Sequence, residues 1–530
     1  MSYTSFVYFV LVALTAFLYY AAPIKYRWTI LLLANTVFYL SAGPVEFIVL
    51  AVSVIASYFA ADFIGGYNRK IKELKSMEEM GKEEKKQRKS VYAKKKRNLL
   101  WLGLGVPIGI LLVVKYTNFV LSSVNTVLAW EGSAKNFSMV SLVVPLGISF
   151  FTFQIIAYVM DVYKGKIEPV QGIAKYYLYV SFFPSVVQGP IPRYAELGHQ
   201  LERGNAFRFE NVRDGCILIL WGLAKKLIMA QRLATYVDSV YDPYMYYEGV
   251  ILIVATIAFS VQIYADFSGC MDIAVGTAKI FGIELSPNFL RPYFSKTMPE
   301  FWRRWHATLG SWFRDYVFFP FSISKTSLKI NKWSRTHLGD GAGKIVSVSL
   351  PILVVWILTG IWHGPEWKYV AWGLFHGILI VLSTIFSPKM QKLGERLHIK
   401  TDCFSFRLFQ MLRTFALCCV GRVFFRAQSI GAAFEIFKLT FQTTGFYWLN
   451  GNHFFEYGID RQDWMVVLVF FVIWFTVSVL EEKYGDVLQL LHKQNLVFRW
   501  AILYVLLFSV IIFGQYGPGY EVADFIYEQF

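Results

Sequence analysis

Apolar stretches long enough to cross a lipid bilayer recur from one end of this chain to the other, and they constrain its fold more than any other feature. In hydrocarbon every backbone N–H and C=O needs an internal partner, so such a chain forms a bundle of helices. The candidate spans are about 4–21, 27–42, 46–64, 99–117, 141–160, 174–191, 214–231, 248–266, 345–362, 367–386, 409–427, 465–481 and 498–514. Each is close to the ~20 residues that a crossing helix needs. Segment 269–282 is too short to cross and is expected to be re-entrant. Composition agrees: 56% of the 530 residues are hydrophobic and only 17% are charged, against about a quarter charged in soluble domains. The first run, Thr4 to Ala21, lacks a basic leader and a small-residue cleavage site, so it reads as a span. The expected fold class is an all-α polytopic membrane protein, with one membrane-embedded domain over 1–530.

The net charge of +16 lies largely in loops. Arg69 to Arg97 carries thirteen Lys/Arg against five Asp/Glu, with the polar helical spacing of a solvated hairpin and no nucleic-acid signature. The positive-inside rule puts this basic loop, about 68–98, in the cytoplasm and the N-terminus outside. Residues 283–344 carry ten Lys/Arg against four Asp/Glu and, with the basic stretch 387–408, are also expected inside. Spans 345–362 and 367–386 then form a hairpin whose tip points outward. The tail after Gly514 has Glu521, Asp524 and Glu528 and no Lys or Arg, which points outside. Both termini outside requires an even number of crossings, so at least one of the thirteen segments is re-entrant or miscounted.

The hairpin tip holds His363, in Gly360-Ile361-Trp362-His363-Gly364-Pro365. A titratable imidazole at membrane depth is a functional residue by default; the alternative is a tautomer-locked histidine that staples two helices. Upstream, Thr297-Met298-Pro299-Glu300 reads as a capped helix start. In the helix that follows, Trp302, Trp305, His306, Leu309, Trp312, Phe313 and Tyr316 fall on one face, and Arg303, Arg304 and Arg314 on the other. This predicts an amphipathic helix at the cytoplasmic interface. His306 is either a packed interfacial histidine or a reacting group. In Tyr264-Ala265-Asp266-Phe267-Ser268, the carboxylate of Asp266 stands six residues before Asp272. Buried acids need partners, and Lys279, Arg291 and the Arg303/Arg304 pair are the candidates. Between Phe182 and Tyr194 three prolines and Gly189 break any helix, which predicts a tunnel wall or a kink around Gln188 and Pro190. The five cysteines have no CxxC spacing, and no HExxH, GxSxG, P-loop or Rossmann fingerprint is present.

Taken together, the His306 and His363 segments, the Gln188-Gly189-Pro190-Ile191-Pro192-Arg193 run, the Tyr264–Gly269 run and the Trp372-Gly373-Leu374-Phe375-His376-Gly377 run resemble the membrane-bound O-acyltransferase family, in its bacterial branch. The match covers most of the chain from about residue 100. The resemblance implies a helical bundle around a transmembrane tunnel and transfer of an acyl group from a thioester to a hydroxyl. On it, His363 is the general base. His306 orients the donor or stabilises charge on its carbonyl oxygen. Trp302, Trp305, Trp362, Asp266, Ser268, Gln188 and Pro190 line the substrate path. The donor is acetyl-CoA or an acyl-carrier thioester from the cytoplasmic side, with no metal and no bound cofactor. The implied partner is an extracytoplasmic SGNH-type acetyltransferase or another polysaccharide-modifying protein, and the implied location is the bacterial inner membrane. Length and the ending Phe525-Ile526-Tyr527-Glu528-Gln529-Phe530 lie nearer the polysaccharide-acetylating type than the shorter D-alanyl transferases. That aromatic tail, about 515–530, resembles a partner peptide of D-alanylation. Tyr527 is then a transient acyl carrier and Phe525 and Phe530 its anchors; an interfacial aromatic anchor is the other reading. D-alanyl transfer, and a transporter or channel, are the competing functions.

Overall fold

A computed structural model describes residues 2–78, 80–133, 135–443 and 455–517. Among them the chain is helical, with no strand. In order the helices are α1 (Phe6–Ala21), α2 (Arg27–Leu40), α3 (Pro44–Ser76), α4 (Lys82–Trp130), α5 (Ile148–Lys164), α6 (Ile173–Val180), α7 (Tyr194–Arg203), α8 (Phe209–Leu223), α9 (Gln231–Tyr241) and α10 (Val250–Ile280). There follow α11 (Met298–Arg304), α12 (Ala307–Phe313), α13 (Phe319–Ser322), α14 (Lys325–His363), α15 (Trp367–Arg396), α16 (Phe404–Arg426), α17 (Ile430–Gln442), α18 (Arg461–Tyr484), α19 (Val487–His492) and α20 (Leu496–Phe513). Eight described helices are long and apolar enough to cross a bilayer, and α1 is apolar but shorter.

The departures from the sequence reading have local causes. Segment 269–282 is not re-entrant: its residues to Ile280 continue α10 without a break. Gly269 serves packing there, and Gly282, with φ 70°, lies in the turn after the helix. The expected span 174–191 stops at Val180, where the proline-rich stretch begins. The expected span 141–160 is helical only from Ile148, after Pro145 and Gly147. In 214–231 the α-helix gives way at Ala224 to a π-helical turn, Ala224–Ala230.

The chain divides into two compact units. The first holds residues 1–216 and 274–286. In it α3 and α4 form a long hairpin, and the described residues of the basic stretch 68–98 lie mostly on the largely exposed facing ends of these two helices. At ~1.5 Å per residue, the 49 residues of α4 run far beyond a ~30 Å hydrocarbon layer. The broken backbone after α6 is buried, and side chains satisfy it. Asn35 on α2 donates to the Leu178 carbonyl at 3.2 Å, and its side-chain oxygen accepts from the Phe183 N–H at 3.0 Å. The Tyr3 hydroxyl donates to the Phe183 carbonyl and the Tyr179 hydroxyl to that of Pro192. Irregular backbone away from water persists only with such partners.

The second unit holds residues 217–273 and 287–530. Here the end of α8 crosses α10 at Gly222 and Gly269. A Cβ on Gly222 would lie 2.5 Å from the Gly269 carbonyl oxygen, and one on Gly269 would lie 2.7 Å from that of Gly222. Small residues let the two backbones approach this closely. The π-helical turn beside them carries two buried lysines. Lys226 Nζ is 2.6 Å from Asp266 Oδ1, and Lys225 Nζ is 2.6 Å from Asp272 Oδ2 and 3.0 Å from Ser268 Oγ. The ion-pair partners of Asp266 and Asp272 are therefore Lys226 and Lys225, not Lys279, Arg291 or Arg303/Arg304. Arg232 follows the turn and bonds Asp463 at the start of α18.

Candidate functional site

The two histidines singled out by sequence come together in the second unit. His363 is the last residue of α14, and α15 returns beside it. The hairpin is tight because it is lined with glycine. A Cβ on Gly360 would collide with the Tyr369 carbonyl, and one on Gly373 with that of Trp356. This close approach seats the His363 ring 4.6 Å from Trp372 and 4.6 Å from Trp362, with Phe425 of α16 at 5.4 Å. His363 is 3% exposed.

His306 reaches the same place by a different device. Thr297 caps α11 as expected, its hydroxyl oxygen accepting from the Glu300 N–H at 3.2 Å. Glu300 reaches one residue further back than a capping box requires, to the Lys296 N–H. The single amphipathic helix predicted over 301–312 does not form. It breaks after Arg304: Trp305 is extended, and His306 adopts φ 51°, ψ 48°, after which α12 begins. A left-handed histidine costs of order 1–3 kcal/mol and persists only where its surroundings over-determine it. Two backbone bonds do so here, from the Ala307 N–H to the Asn288 carbonyl and from the Leu290 N–H to the Arg304 carbonyl, both 2.9 Å. The kink turns His306 against Phe267 of α10 at 4.9 Å and Trp362 at 5.7 Å.

One cavity of about 440 Å³ is lined by His306 and His363, with Trp302, Trp305 and Trp356 among its apolar walls. Arg303 and Arg314 also line it, whereas Arg304 is tied to Glu300 and Glu482. His306 is 3% exposed, and burial pushes its imidazole down to about 3, so it is neutral at physiological pH. A neutral imidazole in a largely apolar cavity can accept a proton and position a polar reactant. Among the described residues no group of three or more His, Cys, Asp or Glu is arranged to hold a metal.

The predicted set thus divides. His306, His363, Trp302 and Trp305 share the cavity, and Trp362 is not among its lining residues but packs against both imidazoles. Asp266 and Ser268 are not among its lining residues and bond the buried lysines. Gln188 and Pro190 are buried in the first unit. Tyr527, Phe525 and Phe530 lie outside the described residues. Sequence reasoning missed Asn288, whose signal was only a polar residue after Ser286-Pro287. It also missed Arg422, 2% exposed, with its guanidinium 4.5 Å from the Trp305 ring. His376, in the Trp372–Gly377 run, is a further buried imidazole. It is buried against Trp302 at 4.8 Å and Trp372 at 5.0 Å.

Residues 170–338, which include His306, match the model of the membrane-bound O-acyltransferase family. A probable alginate O-acetylase of Azotobacter vinelandii is 28% identical over 80% of this chain and 74% of its own. The chain belongs to the membrane-bound O-acyltransferase family. It is a multi-pass membrane O-acyltransferase. A peptidoglycan O-acetyltransferase of Helicobacter pylori is 30% identical over 65% of this chain and 64% of its own. A teichoic acid D-alanyltransferase of Bacillus subtilis is 29% identical over 47% and 60%.

Proposed function

We propose that this membrane-bound O-acyltransferase takes an acetyl group from a thioester on the cytoplasmic side and passes it across the bacterial inner membrane for O-acetylation of an extracytoplasmic polysaccharide. The observation that carries this reading is the single cavity lined by both His306 and His363. In it a thioester and a hydroxyl meet away from bulk water. His363 takes the proton of the acceptor hydroxyl; the oxygen attacks the thioester carbonyl; the tetrahedral intermediate expels the thiolate, which recovers the proton. Positioned acid–base catalysis of this kind contributes typically about 10²–10⁴-fold. Arg303 and Arg314 at the same cavity suit the phosphates of coenzyme A or of an acyl-carrier arm. An extracytoplasmic polysaccharide-modifying protein then collects the acetyl group. The relatives named for alginate and peptidoglycan O-acetylation support acetyl over D-alanyl, because they align over more of this chain than the D-alanyltransferase does.

The test is thioester turnover by the purified protein with acetyl-CoA, beside a D-alanyl carrier thioester. Release of free thiol with acetyl-CoA is the expected result. Turnover of the D-alanyl thioester alone would favour D-alanyl transfer, and no turnover of either would point to a transporter. The proposed sidedness has its own check. Cysteines placed at Lys329 and at Pro365 are expected to react with an impermeant thiol reagent from opposite faces, and labelling from one face would overturn it.

A further inference from the structure

The cavity's two histidines are not chemically equivalent, and the difference lies in the neighbour of His306. Asn288 stands in the segment before α11 and is 2% exposed. Its side-chain oxygen Oδ1 accepts from the Thr308 backbone N–H at 3.1 Å and from the Thr308 hydroxyl at 2.8 Å. A backbone N–H can only donate, so the atom facing it is the amide oxygen and not the nitrogen. The nitrogen points the other way, to the Met271 sulfur at 3.2 Å. His306 Nδ1 lies 3.3 Å from that same oxygen. Two acceptors cannot share a hydrogen bond, so at this contact Nδ1 carries the proton as the oxygen's third donor, and the lone pair of the neutral ring resides on Nε2.

We propose that Asn288 is the positioning residue that locks His306 in its Nδ1–H tautomer, so that Nε2 meets the bound substrate as a hydrogen-bond acceptor. This rests on the reading that His306 takes part in transfer, and it refines that reading. A neutral imidazole in this tautomer cannot donate to the thioester carbonyl oxygen from Nε2. His306 therefore accepts from an N–H or O–H of the substrate. In this arrangement His306 orients the donor and does not stabilise charge on its carbonyl oxygen. A side-chain amide that holds an imidazole in one tautomer is a general device of base catalysis. Burial assists, since it disfavours the doubly protonated ring.

The surroundings keep that tautomer from being overridden by a charge. Across the cavity α14 contributes His363, and the His306 segment itself contributes Arg303 and Arg314. From α16, Arg422 covers the neighbouring Trp305 ring. α10 presents Phe267, while the adjacent Asp266 is held by Lys226. No carboxylate lines the cavity. Introducing one at position 288 would change the state of His306 in a known direction.

The experiment is acetyl-CoA turnover by the purified full chain as a function of pH, for the parent and for Asn288→Asp, Asn288→Ala, Thr308→Val and His306→Ala. Asn288→Asp keeps an acceptor on Nδ1–H but stabilises the imidazolium. Its activity relative to the parent should be near one at alkaline pH and fall as pH drops, as His306 protonates and loses its lone pair. Asn288→Ala should lose at least about tenfold in kcat at every pH. Thr308→Val, which only loosens the amide, should lose about threefold, and it serves if the Asn288 variants fail to fold. An Asn288→Asp activity ratio independent of pH, or parent-like kcat in Asn288→Ala or in Thr308→Val, would overturn the assignment. The two levels of argument separate cleanly. If His306→Ala retains full turnover, the functional reading of His306 falls. If His306→Ala is inactive and the Asn288→Asp ratio does not move with pH, only the tautomer lock falls.

Discussion

The rings of His306 and Trp362 stand 5.7 Å apart, near perpendicular at 64°. Trp362 immediately precedes His363, whose ring it also meets edge to face. One indole thus spaces the two imidazoles. Its large apolar ring packs against both of them.

This spacing makes the first expectation concrete. His363→Ala removes the proposed base but leaves α14 and its glycine contacts in place. Transfer to polysaccharide is expected to fall about 10²–10⁴-fold, with membrane abundance unchanged. A well-expressed variant with normal acylation would show that His363 is only a packing residue.

A second expectation concerns the buried pair Lys226–Asp266, each side chain 3% exposed. Removing one partner strands a charge, at a cost of about 3–5 kcal/mol. Lys226→Met or Asp266→Leu alone should sharply lower the thermal midpoint and the yield. The double variant should recover much of both, because a well-packed apolar pair replaces the ions. Equal loss in single and double variants would mean that the pair does more than neutralise itself.

The α14–α15 hairpin offers a steric test. Gly360→Ala drives a methyl into the Tyr369 carbonyl, and overpacking of this kind costs typically ~1–3 kcal/mol. Gly109, inside α4, faces open space, so Gly109→Ala should be neutral or slightly stabilising. Thermal denaturation in detergent reads both, and the prediction fails if the two behave alike.

The depressed His306 fixes the sign of a pH effect. Folded, it titrates at about 3; unfolded, near 6.5. Above the unfolded value both states are neutral there and no penalty arises. As pH falls below it, the unfolded chain binds a proton that the folded chain refuses, so stability drops until the folded value is reached. His306→Asn keeps a residue tolerant of the left-handed backbone and removes the titration. Its thermal midpoint should therefore fall less steeply than the parent's between pH 6.5 and the lowest pH tolerated. Parallel slopes would mean that His306 is not buried in the neutral form.

Much of this architecture is legible in one dimension. Hydropathy locates the long helices, because a helix in lipid satisfies its own backbone and needs only an apolar run. The Thr297 cap, the proline-broken stretch after Val180 and the placing of His363 at the end of α14 follow from residues within a few positions of each other. What the sequence could not determine involves partners far apart along the chain. Asp266 finds Lys226, forty residues away, and His306 finds Asn288 across a turn that interrupts an otherwise sound helical pattern. The helical periodicity through Trp302, Trp305 and His306 is the same whether the helix continues or kinks. Tertiary packing chose the kink, because two backbone bonds to the 288–290 segment and the Phe267 and Trp362 contacts together outweigh one strained residue.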